Sequence, residues 1–306
     1  MEKSTLLICN QFGGRGISDK LLDVFQSRLR DNGYNPKLVL TKRPKHASEI
    51  IEKSNHFDLV FSIGGDGTLS EVVNGNHKRS DKLTICPMPT GSCNDVATML
   101  GYKKKILDNL DMAMEGKVVE IDVPTINDQA YMYVAGMGKF LNVTYDTKRQ
   151  VKKKMGYLGY FVEATKEFFK SPKMYDIEVE ADGVRLDGKY SIVLLSNSNH
   201  IAGVNGFQKN VLLDDGELEV TLCKCKNNPN IIYSFLDYFV TGKNKNLITF
   251  KAHDIKLKFN ELLEHNPNID GDKLDNNSLT YHISASDKMN FLVPKDVNKK
   301  LFLKYN

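Results

Sequence analysis

The chain has 306 residues, of which 41% are hydrophobic and 26% are charged, a composition typical of globular proteins. Its net charge is only +4, and it has neither zinc-finger spacing nor a long basic tract, so it lacks the usual features of a nucleic-acid-binding protein. No apolar run approaches the roughly 18 residues that a membrane span needs. Its five cysteines are an odd number, and its first residues show no signal-peptide pattern. We therefore expect a cytoplasmic protein whose membrane contact is peripheral.

Up to about residue 122, strand and helix patterns alternate along the chain. Apolar runs at 5–9, 37–40, 58–63 and 83–86 predict strands, and residues at helical spacing follow each of them. This alternation predicts an α/β domain with a mainly parallel sheet. Ligands of such sheets bind beyond the carboxyl ends of the strands, where the glycine clusters of this region lie.

From about residue 123 the pattern changes to short β-like runs separated by Asp-Gly turns. These runs lie at 131–135, 175–180, 190–196, 218–223, 255–259, 279–283 and 290–293. They predict an antiparallel, β-rich sandwich, interrupted by helical patterns at about 145–170 and 229–241. We therefore expect two domains, 1–122 and 123–293, with a short tail at 294–306 that can pack back on the first.

The loop Gly64-Gly65-Asp66-Gly67-Thr68 follows a predicted strand and precedes a predicted helix. Glycines let backbone N–H groups approach phosphate oxygens, and a helix N-terminus favours negative charge. A carboxylate inside such an anion site requires a cation between it and the phosphates, and Mg²⁺ is the obvious candidate. An ordinary strand-to-helix turn explains the two adjacent glycines equally well.

A second cluster, Pro-Thr-Gly-Ser-Cys-Asn-Asp at 89–95, follows the fourth predicted strand. Its Ser92 hydroxyl could bind a phosphate, although a helix N-cap accounts for the same residues. The P-loop motif and the G-x-G-x-x-G dinucleotide motif are both absent from the sequence.

The segment 148–170 combines five basic residues near its start with several aromatic residues further on. Basic residues beside apolar ones are typical of a peripheral membrane contact. The alternative is an amphipathic helix whose basic face is solvated and whose apolar stripe packs on the sandwich.

Residues 64–75 (GGDGTLSEVVNG) together with 89–95 (PTGSCND) resemble the diacylglycerol kinase catalytic domain family, which includes bacterial soluble lipid kinases and sphingosine kinases. The resemblance continues in the family's order along almost the whole chain, at 9–14, 133–138, 152–160, 214–218 and 269–272. The chain departs from the family pattern at Gln11, Gly13, Ser92 and Asp272, where proline, serine, threonine and glutamate are usual.

The resemblance implies a two-domain fold, with an N-terminal α/β domain like that of NAD kinases and a C-terminal antiparallel β-rich sandwich domain. It implies an ATP- and Mg²⁺-dependent lipid kinase that transfers the γ-phosphoryl group to a lipid hydroxyl. Diacylglycerol is the default substrate and phosphatidic acid the product. The expected partners are a membrane-derived lipid and the membrane surface, without nucleic acid, and a homodimer is left open.

The resemblance also implies roles for residues at matching positions. The expected ATP-binding residues are Asn10, Gly13, Gly14, Thr41, Gly64, Gly65, Asp66, Gly67, Thr68, Glu71, Ser92 and Asn94. The expected ligands of the catalytic Mg²⁺ and its waters are Asp66, Asp95 and Asp122. A second, structural metal site is expected at Asp215 and the backbone carbonyls of Leu212 and Glu217. The expected catalytic residues are Asp270 as the general base, Asp272 beside it, and Asp66.

Two other functions remain compatible with the sequence. An NAD kinase shares the GGDGT loop, although the D-D-G-x-L element at 214–218 and the cluster at 91–95 disfavour it. A catalytically weak regulatory protein that binds lipid or nucleotide would account for the departures at Gln11, Gly13, Ser92 and Asp272.

Overall fold

The computed structural model describes residues 3–11, 16–138, 171–198, 200–201, 204–205 and 211–303. Gly13 and Gly14 lie outside these ranges, as do the helical pattern at 145–170 and the basic and aromatic segment at 148–170.

A six-stranded sheet forms the centre of the first half of the structure. In spatial order its strands are β2 (Tyr34–Leu40), β1 (Lys3–Cys9), β3 (Leu59–Gly64), β4 (Thr84–Pro89), β21 (Lys288–Val293) and β5 (Lys117–Asp122). Five strands are parallel, and β5 runs antiparallel to β21. Every residue of β3 is buried, because this central strand is covered on both faces.

Helices connect the parallel strands: α1 (Asp19–Asp31), α2 (His46–Lys53), α3 (Asp66–His77), α4 (Asp95–Met99) and α5 (Ile106–Met114). The Ser18 hydroxyl caps α1 by accepting a hydrogen bond from the Leu21 N–H group. The same helix buries Phe25, whose ring meets Phe61 of β3 edge to face at 5.6 Å. Helix α3 begins at Asp66, so Asp66, Gly67 and Thr68 of the glycine loop form its first turn.

Two antiparallel sheets and a small hairpin make up the second half. One sheet contains β10 (Val184–Arg185), β9 (Tyr175–Ala181), β17 (Asp254–Phe259), β20 (Thr280–Ser284), β6 (Thr125–Ile126) and β7 (Gln129–Ala130), with β11 (Gly188–Tyr190) paired to β9. The other contains β16 (Leu247–Ala252), β15 (Leu218–Cys223), β12 (Ile192–Ser196), β8 (Val134–Gly138), β18 (Asn268–Ile269) and β19 (Asp272–Lys273). The hairpin pairs β13 (His200–Ile201) with β14 (Val204–Asn205).

The two antiparallel sheets share one hydrophobic core and form a sandwich. Strand β9 alternates strictly between buried and exposed residues, which is the pattern of a strand with one face on a core. Its Ile177 and Val179 belong to the same buried cluster as Val193 and Leu195 of β12. The predicted fold class, a mainly parallel α/β domain plus an antiparallel β-rich sandwich, is therefore confirmed.

A further helix, α6 (Asn228–Thr241), packs on the second sandwich sheet, and a short 3₁₀ turn (Lys299–Leu301) lies near the end of the chain. Asn227 caps the start of α6 by accepting from the Asn230 N–H group, and Gly242 ends it with φ of 76°. Of the helices in the described ranges, none combines the length and the apolar character that a bilayer span requires.

The last strand returns to the first sheet. Residues 288–293 lie inside the range expected for the second domain, yet β21 forms its backbone hydrogen bonds with β4 and β5. After it, Val297, Leu301 and Phe302 are buried in the core of the first sheet. We propose a first domain made of 1–122 together with the strand 288–293 and its tail, and a second domain made of the residues between.

The close contact between α2 and α3 in the first domain leads to a prediction about stability. A methyl group at Gly75 of α3 would lie 2.5 Å from the Ser48 carbonyl oxygen of α2. Because backbone must move to relieve this overlap, Gly75→Ala is expected to lower the free energy of unfolding by about 1–3 kcal/mol, despite the better helix propensity of alanine. Urea unfolding measures the change.

The matched control is Ser27→Ala at an exposed position of α1, which is expected to change stability by less than about 0.5 kcal/mol. Equal stability of Gly75→Ala and wild type would show that α2 and α3 are not packed this closely.

Candidate active site

Two glycine loops meet where β3 and β4 end. The Thr90 N–H group donates to the Gly64 carbonyl at 2.8 Å, which joins the loops through their backbones. A methyl group at Gly91 would lie 2.5 Å from the Gly65 Cα atom. Only glycine fits this approach, because a side chain on either loop would push the other away.

The second loop is tied to the first through Asn94 and Asp66. Asn94 has φ of 58°, and its side chain both accepts from the Gly91 N–H group and donates to the Gly91 carbonyl, each at 2.9 Å. Its own N–H group donates to Asp66 Oδ2 at 2.7 Å, and the Val96 N–H group lies 3.4 Å from Asp66 Oδ1. The Asp66 carboxylate therefore holds the start of α4. Ser92, the predicted phosphate ligand, is exposed on this loop.

Asp66, which is half-buried, and Asp95, which is buried, form a pair of like charges. Burial and the neighbouring Asp95 raise the pKa of Asp66, while the backbone N–H groups of Asn94 and Val96 lower it. Asp95 itself is only 3% exposed. Two carboxylates that repel each other beside a helix N-terminus and a glycine loop are a suitable donor set for a Mg²⁺ ion. Asp66 and Asp95 thus supply two of the three carboxylates expected around the catalytic cation, and in the described residues no third His, Cys, Asp or Glu side chain joins them.

The remaining described ATP-site candidates surround the start of α3. Asn10 Nδ2 donates to Thr68 Oγ1 at 3.3 Å, so the end of β1 reaches the first turn of α3. The Thr41 N–H group donates to the Cys9 carbonyl at 2.9 Å, which places Thr41 beside the end of β1. These contacts bring Asn10, Thr41 and Thr68 together with the glycine loops at the carboxyl edge of the sheet.

Glu71 has a structural role that the sequence did not indicate. Its carboxylate accepts from the N–H groups of Lys45 at 2.8 Å and Ala47 at 3.0 Å. Lys45 stands at the N-cap of α2 in the left-handed conformation, and its side chain forms no cap. Glu71 therefore supplies the cap of α2 from α3 and holds both helices beside the site.

Asp270 is buried in the turn between β18 and β19, with φ of 50° and 3% exposure. Its carboxylate accepts from three consecutive backbone N–H groups, those of Met132 at 2.6 Å, Tyr133 at 2.9 Å and Val134 at 3.2 Å. Burial raises the pKa of Asp270 to about 7, although the three N–H groups act in the opposite direction. Both oxygens are occupied by backbone donors, so this carboxylate is built to hold the chain entering β8.

Asp272, two residues further on, is exposed and faces the first domain. A methyl group at Gly67 would lie 3.7 Å from Asp272 Oδ2, so this carboxylate lies against the first turn of α3. Its charge also raises the pKa of Glu71, although burial is the larger cause. The structure thus brings a carboxylate of the second domain to the glycine loop of the first.

Asp122 lies with Asp215, away from the pairing of Asp66 with Asp95. Asp122 is fully buried, and its Oδ2 accepts from the Gly216 N–H group at 2.6 Å. The Lys288 ammonium lies 3.2 Å from its other oxygen. Burial raises the pKa of Asp122, Gly216 and Lys288 lower it, and the nearby charge of Asp215 raises it. Asp122 therefore anchors the loop that carries Asp215.

A lysine ammonium lies where the second, structural metal was expected. Lys251 Nζ is 2.6 Å from Asp215 Oδ2, 3.4 Å from Glu217 Oε2 and 3.5 Å from Glu219 Oε1. No group of three or more His, Cys, Asp or Glu side chains in the described ranges is arranged to hold a metal ion. Because this ammonium lies 2.6 Å from Asp215 Oδ2, the one side-chain carboxylate of the expected metal site already has an internal counter-charge.

Lys251 was missed by the sequence reasoning, since it has no local motif. It faces Asp215 because β15 and β16 are antiparallel with Glu219 opposite Lys251, a register that only the folded sheet defines. Asn74 lies in the motif at 64–75, but its contact was not predicted. Its side chain exchanges hydrogen bonds with the backbone of Ala130, at 3.0 and 2.8 Å, and so joins α3 to β7.

An α/β domain with two glycine loops at its carboxyl edge, approached by a carboxylate from a β-sandwich, is the arrangement expected of a two-domain kinase. A family model for the diacylglycerol kinase catalytic domain matches residues 4–126. The chain is 28% identical over 276 residues to a diacylglycerol kinase of Bacillus subtilis, covering 88% of this chain and 90% of that protein. It is 25% identical over 304 residues to a diacylglycerol kinase of Staphylococcus epidermidis, covering 97% and 94%.

The fold is also that of a solved relative. A crystal structure of a diacylglycerol kinase from Bacillus anthracis superimposes with a TM-score of 0.74 at 21% identity, covering 97% of this chain and 99% of that one. Over residues 4–126 the chain is similar to the diacylglycerol kinase catalytic domain family, and this match together with the named relatives shows a lipid kinase.

From the position of Lys251 we predict a result that distinguishes two sources of counter-charge for Asp215: the lysine itself and a bound metal ion. Lys251→Met leaves Asp215, Glu217 and Glu219 without their counter-charge. We expect a loss of about 1–3 kcal/mol in the free energy of unfolding, between the values of exposed and buried ion pairs. Millimolar Mg²⁺ or Ca²⁺ should raise the melting temperature of the variant more than that of wild type.

Lys256→Met is the control, because Lys256 is 59% exposed and its partner Glu180 is 3.7 Å away, so its loss should cost less than about 1 kcal/mol. Two results together would contradict the role of Lys251 as an internal counter-charge. The purified wild type would contain a tightly bound divalent ion that Lys251→Met also retains, and added cations would not stabilise the variant more than the wild type.

Proposed function

We propose that this lipid kinase transfers the γ-phosphoryl group of ATP to the hydroxyl group of diacylglycerol, giving phosphatidic acid and ADP. The observation that carries the proposal is the position of Asp272 of the second domain against the first turn of α3 in the first. The named relatives support diacylglycerol as the substrate, and the glycine loops support ATP as the donor.

The ATP phosphates would lie over the start of α3 and the glycine loops. There the backbone N–H groups and the helix N-terminus favour negative charge. Gly65 and Gly91 keep this surface free of side chains, and Asn10, Thr41 and Ser92 line its rim. Asp66 and Asp95 would hold a Mg²⁺ ion, which neutralises charge on the transferring phosphoryl group.

We propose Asp272 as the general base. Its exposed carboxylate would accept the proton of the lipid hydroxyl while that oxygen bonds to the γ-phosphorus and the bond to ADP breaks. Asp270 would act through position, since its oxygens accept three backbone N–H groups and so fix the turn that presents Asp272. Phosphoryl transfer depends chiefly on such positioning and on charge neutralisation.

The same proposal places the enzyme in the cytoplasm, peripherally attached to the membrane that holds its substrate. The expected homodimer stays a prediction.

The role of Asp66 is tested by Asp66→Asn. An amide oxygen can still accept from the Asn94 N–H group, but the lost charge weakens the Mg²⁺ site. We expect the turnover number to fall by about 10²-fold or more, the size of effect seen when one charge-stabilising group is removed. The assay follows label from γ-labelled ATP into the organic phase with diacylglycerol as acceptor. Turnover near that of wild type would remove Asp66 from the metal site.

Asp272→Asn and Asp270→Asn separate the base from its support. Asp272→Asn should lower turnover by about 10²–10⁴-fold with an unchanged melting temperature. Asp270→Asn should lower the free energy of unfolding by about 1–3 kcal/mol, because its amide N–H would face backbone N–H groups. If Asp272→Asn turned over at the wild-type rate, Asp272 would not be the general base. Label in NAD but in no lipid would overturn the proposed substrate.

A further inference from the structure

Helix α6 carries an apolar stripe on its solvent-facing side that the kinase chemistry does not use. Its members, which are 42%, 64%, 60%, 39% and 75% exposed in turn, are Ile232, Tyr233, Leu236, Phe239 and Val240. Single exposed apolar side chains are ordinary, whereas a contiguous set marks a contact surface. Of the twelve large hydrophobic residues exposed in the described ranges, these five lie on one helix.

The five residues of the α6 stripe lie on one face. At about 100° per residue they span an arc of about 120°. The opposite face is already used, because Ile231 is buried with Ile192, Cys223 and Leu247 on the sandwich sheet. An ordinary surface helix has one apolar face and one polar face, so the second apolar face of α6 requires a partner of its own.

Positive charge flanks the α6 stripe at both ends. Four exposed lysines lie just before and just after the helix: Lys224, Lys226, Lys243 and Lys245. Within the described part of the chain, none of the four is paired with a carboxylate. The only acidic residue on α6, Asp237, accepts a hydrogen bond from Asn244 at 2.8 Å. An apolar centre between clusters of lysine is complementary to a bilayer with anionic headgroups.

We propose that α6 docks this protein on an anionic lipid bilayer, with the α6 stripe buried among the headgroups and the four lysines on the surface phosphates. The proposal rests on the proposed function, because a kinase of diacylglycerol must reach a substrate held in such a bilayer. Tyr233 fits this position, since its ring is apolar and its hydroxyl can stay in water. A second copy of the chain fits the α6 stripe less well than a bilayer does. Pairing two α6 helices would bring the lysines of both copies together, and their like charges would repel.

The test is co-sedimentation of the full chain with vesicles of phosphatidylcholine containing phosphatidylglycerol, compared with pure phosphatidylcholine. The wild type should bind the anionic vesicles. The double variant Leu236→Asn/Val240→Asn should bind them about tenfold or more weakly, because two apolar side chains lose their burial. Lys243→Gln and Lys245→Gln should each weaken binding by about fivefold at low salt.

The control is Val184→Asn/Leu262→Asn, whose residues are 59% and 54% exposed at positions outside α6. It should bind as the wild type does. The proposal would be overturned if Leu236→Asn/Val240→Asn bound the anionic vesicles as tightly as the wild type, or if the control variant lost as much binding as Leu236→Asn/Val240→Asn. It would also be overturned by a wild-type dimer that Leu236→Asn/Val240→Asn converts to a monomer, since the stripe would then hold a second copy.

A short-chain diacylglycerol dissolved without vesicles separates this proposal from the kinase proposal. The α6 variant should phosphorylate this acceptor at the wild-type rate while losing activity on diacylglycerol in anionic vesicles. Loss of activity on both acceptors would show that α6 acts on the catalytic fold and would overturn the docking role. No activity of the wild type on either acceptor, with vesicle binding intact, would refute the proposed substrate and leave the docking surface in place.

Discussion

The site depends on the hydrogen bond from the Asn94 N–H group to the Asp66 carboxylate. This bond joins the loops after two neighbouring parallel strands, and the contact of Gly65 with Gly91 lets them come close enough to form it. A carboxylate buried beside Asp95 is unfavourable by itself, so the same arrangement that joins the loops also favours a divalent cation. One side chain therefore links the geometry of the two glycine loops to the electrostatics of the candidate site.

In the second domain, too, backbone N–H groups hold a carboxylate beside the candidate site. Three consecutive backbone N–H groups hold Asp270 in its buried turn, and the exposed Asp272 follows two residues later. Asn74 and Ala130 also link α3 to β7, so the helix that approaches Asp272 at Gly67 has a second contact with the β-rich half of the chain. The two aspartates of one short motif therefore have different surroundings, since Asp270 is buried among backbone donors and Asp272 is exposed.

Ammonium groups of the chain itself lie in the acidic region around Asp215 and Asp122. Lys251 lies among three carboxylates, and Lys288 lies beside the buried Asp122. Two contacts within the chain hold the loop that carries Asp215: the Gly216 N–H group donates to Asp122 Oδ2, and Lys251 Nζ donates to Asp215 Oδ2.

Strict alternation of strands and helices, and later of Asp-Gly turns and short strands, was enough to predict the fold class, because such patterns follow from local backbone geometry. Helix α6 was predicted at 229–241 and is observed as Asn228–Thr241, since Pro229 and Gly242 are local start and stop signals. The glycine loops and their aspartates were also visible, since short motifs place them. Only the tertiary structure decided which carboxylates meet, that Lys251 faces Asp215, and that the strand at 288–293 belongs to the first sheet. Those outcomes depend on strand register and burial between distant segments, which local sequence does not encode.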